Sequence, residues 1–419
     1  MPILKIIIGN VALKGGDHKG GLKKMVRKGI KDKVAIIGCD MTKYGELWDK
    51  NQYDLLFEAF QGALKDTGIK KDEIDASWIG IFYYFTGLSG AMVEDILRMD
   101  GKPSTRVENY CASGMDAFRN ASFAIASGAY DVVLACGVEK LMDEGGSGLP
   151  GFRIFGHPLY PTPSAPAMFS MAATRSFHEY GWTKEDLARV AVKNHDNGAD
   201  HPKAHFRSRI TVDQVIRAPM IADPLGRFDC CAMSDGAAAL ILTRPELAES
   251  YAHADDYILV KANAISCQTN FPWYVPPGGP GSEFTHFPAT EKAGEYAYKE
   301  AGITNPRKEI DCAEVHDCFT ITELLNCQDL QFCERGQAAE ELKNGTFNYD
   351  GEIAINPSGG LKSFGHPIGS TGCRMLTEIT KQLQGRAEGR QVPDAKVGLC
   401  HNLGGAFTVC SVTILGQRD

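Results

Sequence analysis

The sequence predicts an α/β protein built as two successive βα halves, with an insert inside the first half. Three observations predict it. Strand-like apolar runs alternate with stretches of helical periodicity through most of the 419 residues. A Gly- and Pro-rich, then polar, stretch from about Lys140 to Asp235 interrupts that alternation once. From Tyr257 onward the same order of elements starts again without evident sequence identity. The chain also exceeds the length that one hydrophobic core usually supports.

Val34–Gly38 is an apolar run that predicts a buried strand, and Tyr53–Asp66 has its apolar residues at helical spacing. Trp78–Tyr84 and Thr105–Tyr110 read as further strands. Ser113–Ser127 reads as a helix of small residues, and Asp131–Cys136 as the next strand. Within the insert, Lys184–His195 carries a polar helical pattern, and an insert placed between two strands of one sheet predicts a lid over a site. Ala237–Thr243 resumes the strand pattern. The second half has strands near Ile258–Ala264, Ile310–Val315, Glu352–Ile355, Val397–Cys400 and Phe407–Leu415. Its helices fall near Thr290–Ala301, Thr320–Glu334 and Gly372–Gln384. The resulting divisions are a basic extension (1–32), a first half (33–139 with 236–256), the insert (140–235) and a second half (257–419).

With 43% hydrophobic and 23% charged residues, the composition is that of a globular chain. No apolar run approaches the ~20 residues that cross a bilayer. Ile3–Leu13 is broken by Lys5 and Asn10, with no small-residue cleavage site. A cytoplasmic protein without a membrane partner is expected. Of the net charge of −8, residues 1–33 contribute +7, which leaves an acidic body of −15. That body argues against nucleic acid as a partner. The basic leader reads either as a partner-binding arm or as a solvated extension. Thirteen cysteines are present, yet no Cys-x-x-Cys pair occurs, so neither a structural zinc site nor a thioredoxin-type motif is expected. The thiols are expected to be reduced, many of them as small core residues.

Four strand–helix junctions carry chemistry. In Asn109-Tyr110-Cys111-Ala112-Ser113-Gly114, Cys111 ends a strand and opens a helix. The free N–H groups and positive end of that helix predict a position that favours thiolate. Ser113 and Gly114 are small enough to admit an acyl group and are candidate substrate contacts; a buried structural cysteine is the plain alternative. His316-Asp317-Cys318 leaves a strand and supplies a hydrogen-bond donor and a second thiol. No further ligand at zinc spacing lies near, so no metal is expected. Gly365-His366-Pro367 sets an imidazole rigidly ahead of a helix, as a base or oxyanion donor requires. In Cys400-His401-Asn402-Leu403-Gly404-Gly405, glycines after a strand expose N–H groups, as an oxyanion hole needs. His401 and Asn402 are candidate substrate contacts.

In this order, from about Lys33 to the end, these segments resemble the thiolase superfamily. The Cys111 segment is similar to its nucleophile motif, Gly365-His366-Pro367 to its Gly-His-Pro motif, and Asp235-Gly236-Ala237-Ala238 to the strand returning from its loop domain. Ordinary thiolases carry Asn-Glu-Ala-Phe where this chain has His316-Asp317-Cys318-Phe319, and place a second cysteine in a C-terminal Cys-x-Gly. The departures here resemble the sterol-carrier-protein-X type and, more so, archaeal-type acetoacetyl-CoA thiolases.

The resemblance implies a duplicated five-layer α-β-α-β-α fold and CoA-dependent cleavage of a 3-oxoacyl-CoA, or the reverse Claisen condensation. It implies Cys111 as acylated nucleophile, His366 as its base and Cys318 as acid/base at the α-carbon, with His401 next in line. One oxyanion hole would come from His316 and His366, the other from the N–H groups of Cys111 and Gly404. Coenzyme A enters as substrate, with no bound cofactor. It also implies at least a homodimer, and a small zinc-ribbon/OB-fold acyl-CoA-binding subunit as the only source of zinc.

Acetoacetyl-CoA is the simplest substrate; a bulky or aromatic 3-oxoacyl-CoA such as benzoylsuccinyl-CoA is the alternative. A decarboxylating condensing enzyme would leave Cys318 idle, and related retro-aldolases do without the nucleophilic cysteine. A non-catalytic scaffold subunit would leave the whole constellation without use. Cys230 and Cys231, and Cys327 with Cys333, read as packing. Trp273-Tyr274 and Pro276–Gly281 line either the acyl pocket or the surface. Arg207 and Arg209 are candidates for the CoA phosphates, though two arginines on a loop are more often surface.

Overall fold

The computed structural model describes residues 29–83, 89–144, 164–268, 284–405 and 407–418. Most of the basic leader, the Gly/Pro-rich start of the insert and the Trp273–Gly281 loop lie outside them. Ten strands form one mixed sheet: β1 (Ala35–Met41), β2 (Ala76–Gly80), β3 (Ser104–Val107), β4 (Val132–Glu139), β5 (Gly236–Thr243), β6 (Ile258–Cys267), β7 (Cys312–Val315), β8 (Ala354–Ile355), β9 (Val397–Gly404) and β10 (Val409–Gly416). The helices that frame the site are α1 (Gln52–Thr67), α2 (Ser113–Ala126), α3 (Ala165–Tyr180), α4 (Lys184–Ala199), α5 (Pro288–Ala301), α6 (Thr320–Asp329), α7 (Gly360–Phe364) and α8 (Ile368–Leu383).

The strand order is β8-β7-β9-β10-β6-β1-β5-β4-β2-β3. Each half therefore runs third, second, fourth, fifth, first. In each, the second strand pairs in parallel with the third and fourth, and the fifth runs antiparallel between the fourth and first. Identical topology in both halves establishes the duplication that the element order predicted. The halves meet where Ala35 and Ile36 of β1 face Leu259 and Ile258 of β6. Strands β4 and β5 are buried along their whole length, as strands covered on both faces must be.

Helices α2 and α8 lie between the halves, while α1 covers β1 and β5 and α5 covers β6 and β10 on the outside. That is the five-layer arrangement. The inner layer is tight because glycines meet across it. A Cβ on Gly114 would lie 2.3 Å from Gly369 O, and one on Gly372 would lie 2.4 Å from Met115 N. No side chain fits at such distances, so the N-termini of α2 and α8 are held side by side.

Several boundaries differ from expectation for local reasons. The second and third strands stop at Gly80 and Val107 instead of reaching Tyr84 and Tyr110, and Tyr110 turns left-handed at φ 52°. Helix α6 ends at Asp329 rather than Glu334, because Gln331 at φ 62° cannot continue it. Helix α8 starts at Ile368 rather than Gly372, since Pro367 at its N-cap has a fixed φ of −66° ready for a first turn. Strand β9 extends past Cys400 to Gly404, fully paired with β10. The insert is anchored by α4: Ser363 Oγ of α7 donates to Asn194 O at 3.0 Å, and Asn194 Nδ2 donates to Asp317 Oδ2 at 2.8 Å.

Candidate active site

The four junctions singled out from sequence come together where parallel strands end and α2 and α8 begin. Cys111 Sγ and one ring nitrogen each of His316 and His366 all lie within 4.8 Å of one another. The two imidazoles meet edge to face at 5.0 Å.

Cys111 stands on a turn that the left-handed Tyr110 makes possible. Ser113 Oγ donates to Tyr110 O at 2.5 Å and accepts from Asn109 N at 2.9 Å, closing that turn. Asn109 Nδ2 donates to Asp116 Oδ2 at 2.6 Å on the first turn of α2. Ser113 and Gly114, expected to touch substrate, are buried, and their visible contacts are those of the scaffold. Burial pushes the Cys111 thiol up to about 12, against backbone N–H groups of Gly405 and Cys111 itself that favour the anion. Desolvation thus opposes the thiolate that the helix end is expected to favour. The second N–H at the sulfur belongs to Gly405, one residue beyond Gly404. Gly405 has φ 67°, which a glycine adopts without strain, and Gly404 itself comes so close that a Cβ would lie 3.1 Å from Cys111 N.

His366 sits between α7 and α8. Its Nδ1 is 2.8 Å from Thr371 Oγ1, whose own hydrogen goes to Pro367 O at 2.9 Å. Thr371 can then only accept, so Nδ1 carries the proton and Nε2 is a bare lone pair. That Nε2 is buried and has no hydrogen-bond partner. Burial first, and Arg374 second, hold this imidazole down to about 3, so it is neutral at physiological pH. Arg374 is itself buried, bonded to Glu314 at 2.9 Å and to Ser358 at 2.8 Å.

His316 is buried as well, and burial with neighbouring His366, His401, Arg374 and Lys362 keeps it well below the usual imidazole range. Its Nδ1 lies 3.0 Å from Asn402 Nδ2. His401 does not face the triad freely. Its Nδ1 accepts the backbone N–H of His316 at 3.3 Å, and its Nε2 lies 3.0 Å from Thr290 Oγ1. Cys318 is 4% exposed, with Sγ 3.9 Å from Thr322 Oγ1. Burial pushes its thiol well above the normal value, and Cys231 and Cys111 push the same way.

A cysteine and two histidines this close also make a possible metal set. The hydrogen bonds fit it poorly: a donor aimed at His316 Nδ1 leaves the proton on Nε2, so only His366 offers a lone pair. They fit a nucleophile, a base and an oxyanion donor. A neutral pair makes a checkable statement. Alkylation of Cys111 by iodoacetamide should rise about tenfold per pH unit from pH 6 to 9 without levelling off. A plateau below pH 8 would reveal a thiolate–imidazolium pair instead.

The family model for the thiolase N-terminal domain matches residues 34–148 and 162–246, and that for the thiolase C-terminal domain matches 281–417. The chain belongs to the thiolase family. Like the archaeal acetyl-CoA acetyltransferases it resembles, it is an acyltransferase. The acetyl-CoA acetyltransferase of Methanothermobacter thermautotrophicus is 38% identical over 408 residues, covering 92% of this chain and 99% of its own. Human sterol carrier protein 2 is 33% identical over 395 residues, covering 89% and 70%. Among solved structures, the Ltp2–ChsH2(DUF35) aldolase superposes with a TM-score of 0.79 at 25% identity, over 93% of this chain and 98% of that one. The Ascaris suum Acat5 thiolase in complex with coenzyme A gives 0.67 at 16%, over 92% and 100%, a likeness of fold alone.

This thiolase site contains residues that the sequence reading passed over. Glu139 at the end of β4 is buried, and its carboxylate accepts the N–H groups of Phe82, Tyr83 and Gly369 at 2.9–3.0 Å. It ties the 82–83 segment to the start of α8, and burial raises it to about 7. Lys362 donates its buried ammonium to Asp229 O at 2.7 Å and Cys318 O at 3.4 Å. Cys231, taken for packing, donates its N–H to Cys318 O at 2.8 Å and lies across from Cys318 beside the Cys230–Phe319 bridge. Arg209, a candidate for CoA phosphate, is engaged by Asp200 at 2.8 Å, and Arg207 Nε donates to Ala199 O at 3.4 Å. Among the described residues, every cysteine is free, and no helix is long and apolar enough to cross a membrane.

Proposed function

We propose that the chain is a 3-oxoacyl-CoA thiolase working through an acyl-enzyme on Cys111. One observation carries the reading: the Cys111 sulfur faces a histidine whose Nε2 is bare, buried and without a partner. In the cleavage direction Cys111 Sγ attacks the C3 carbonyl of the substrate, and its proton passes to His366 Nε2. The N–H groups of Cys111 and Gly405 stabilise the tetrahedral oxyanion. The C2–C3 bond then breaks, and its electron pair leaves as the enolate of acetyl-CoA. Its oxygen is held by His316 and by the newly protonated His366, which has turned from acceptor to donor. Cys318 gives the α-carbon its proton. A second molecule of CoA gives its thiol proton to the Cys318 thiolate and attacks the acyl-cysteine; His366 returns its proton to the departing Cys111 thiolate as a shortened acyl-CoA is released, and condensation is the reverse. Coenzyme A is substrate throughout.

The small residues about Cys111 and the archaeal relative favour acetoacetyl-CoA; the benzoylsuccinyl-CoA alternative is separated by a thiolysis screen over short, long-chain and aromatic 3-oxoacyl-CoA esters. Intact-mass analysis after mixing with acetyl-CoA tests the nucleophile. Wild type should gain one acetyl group, mapped to Cys111, and Cys111→Ser none while it still folds. An adduct on the mutant, or on Cys318 in wild type, overturns the assignment. The likeness to the Ltp2–ChsH2(DUF35) aldolase favours retro-aldol cleavage as a second reading, under which the Cys111→Ser variant would keep its activity.

The same likeness supports a small partner subunit, a zinc-ribbon/OB-fold protein that completes the CoA site and brings any zinc. Full activity from the isolated chain, with no gain on adding the partner, counts against this. At least a homodimer is also expected, because β3 is an edge strand of the sheet among the described residues. Light scattering at micromolar concentration should give at least twice the 45.6 kDa chain mass.

A further inference from the structure

His316 and His366 sit 5.0 Å apart, are both neutral and share one task, yet their hydrogen bonds give them opposite tautomers. We propose that Asn402 is a positioning residue that locks His316 as the Nε2–H tautomer, so that one imidazole donates to the enolate oxygen while the other begins as the base. This rests on the thiolase reading above, and it replaces a substrate contact for Asn402.

Everything else about His316 is already fixed. Its backbone N–H goes to His401 Nδ1 at 3.3 Å, and its carbonyl accepts Asn326 Nδ2 at 3.0 Å. His401 receives that N–H on Nδ1, so its proton is on Nε2, facing Thr290 Oγ1 at 3.0 Å, and Thr290 passes its hydrogen to Asn326 Oδ1 at 3.2 Å. The main chain of His316 is thus pinned, and the position of the ring proton is a freedom that remains. Asn402 Nδ2, 3.0 Å from Nδ1, removes it. The orientation of the amide follows from what it leaves over. As placed, Oδ1 is buried without a partner. Reversed, two N–H donors would be stranded in the same spot, against Gly372, whose Cβ would come within 3.0 Å of that atom. A stranded carbonyl oxygen costs less than a stranded amide donor.

The titratable and charged groups that bear on His316 are Cys111, His366, His401, Arg374 and Lys362, and the last four oppose a second proton on it. A neutral ring with Nδ1 as acceptor must therefore carry its hydrogen on Nε2. An aspartate at 402 reverses this by accepting from Nδ1–H, leaving Nε2 bare at pH 8.

The test compares Asn402→Asp with Asn402→Leu at pH 8 on two readouts: deuterium exchange into the methyl group of acetyl-CoA, which needs the enolate, and acetylation of Cys111 by intact mass, which does not. The same-shaped aspartate should be the worse of the two. Exchange should fall about 100-fold or more in Asn402→Asp and roughly tenfold in Asn402→Leu, with acetylation within about threefold of wild type in both. A space-filling role predicts the opposite order, so exchange in Asn402→Asp at or above that of Asn402→Leu overturns the proposal, as does a parallel loss of both readouts. Failure of wild type to exchange or acetylate would overturn the thiolase reading and this proposal with it. Independently of any variant, histidine 15N shifts of the wild-type protein should report His316 as Nε2–H; Nδ1–H there overturns the proposal.

Discussion

Cys318→Ala is expected to accept an acetyl group on Cys111 at close to the wild-type rate, yet to lose thiolysis of a 3-oxoacyl-CoA by about 10³-fold. The two halves of the reaction separate because the two thiols have different surroundings. The proposed nucleophile lies within 4.8 Å of a His366 ring nitrogen, and the N–H of Gly405 reaches its sulfur. Cys318 has no base of that kind against its sulfur, only Thr322 Oγ1 at 3.9 Å, and burial keeps its proton on. A thiol that stays protonated at neutral pH suits a donor to the carbanion carbon. Its main chain is also held firmly: its carbonyl accepts from Cys231 N and from the Lys362 ammonium. Solvent deuterium exchange into acetyl-CoA measures the step directly. Exchange at the wild-type rate in Cys318→Ala would move the acid/base role to Cys231, the thiol lying across from it. His401 is a poorer fallback, since both its ring nitrogens are engaged by Thr290 and the His316 backbone.

What the sequence made legible follows a physical rule. Cys111, His316 and Cys318 were legible because each sits where a strand-like run gives way to a helical one, and such junctions at the ends of parallel strands gather in space; His366 was legible from its Gly-His-Pro turn ahead of α8, although the element before it is the helix α7 and not a strand. The duplicated element order was visible for the same reason, since apolar alternation is a local signal. The residues that were missed act through contacts between segments far apart in the chain. Glu139 looks like the last residue of a strand, and its role appears only when Gly369, 230 positions away, brings an N–H to it. Lys362 looks like a surface lysine on a short helix until the fold buries it against Asp229 O. The helix end beside Cys111 is visible in sequence, whereas the desolvation that raises its thiol is not. His401 and Asn402 lie beside His316, and which group each faces depends on how β9 lies beside β7.

Gly372→Ala should cost far more in activity than in stability. In the middle of a helix, alanine would by itself be worth about 1 kcal/mol over glycine. Here the new methyl would lie 2.4 Å from Met115 N and 2.8 Å from Met115 Cβ, on the neighbouring helix α2, and 3.0 Å from Asn402 Oδ1. Two of those atoms belong to the backbone or sit next to it, so relief requires α2 and α8 to move apart. Overpacking of this kind costs typically 1–3 kcal/mol, and set against the propensity gain the net loss should be at most about 2 kcal/mol. In a chain of this size that is no more than a few degrees in Tm. The same shift moves the start of α2, with Cys111 on its preceding turn, away from the start of α8, with His366 on its own. A displacement near 1 Å at a reacting pair costs on the order of 10²-fold in rate, so kcat should fall by about that factor while Tm barely changes. Differential scanning calorimetry and thiolysis assays on one preparation decide it. Near-normal kcat would mean that the helices yield without disturbing the triad, and a collapse of Tm would mean that the glycine contact holds the two halves together rather than aligning the site.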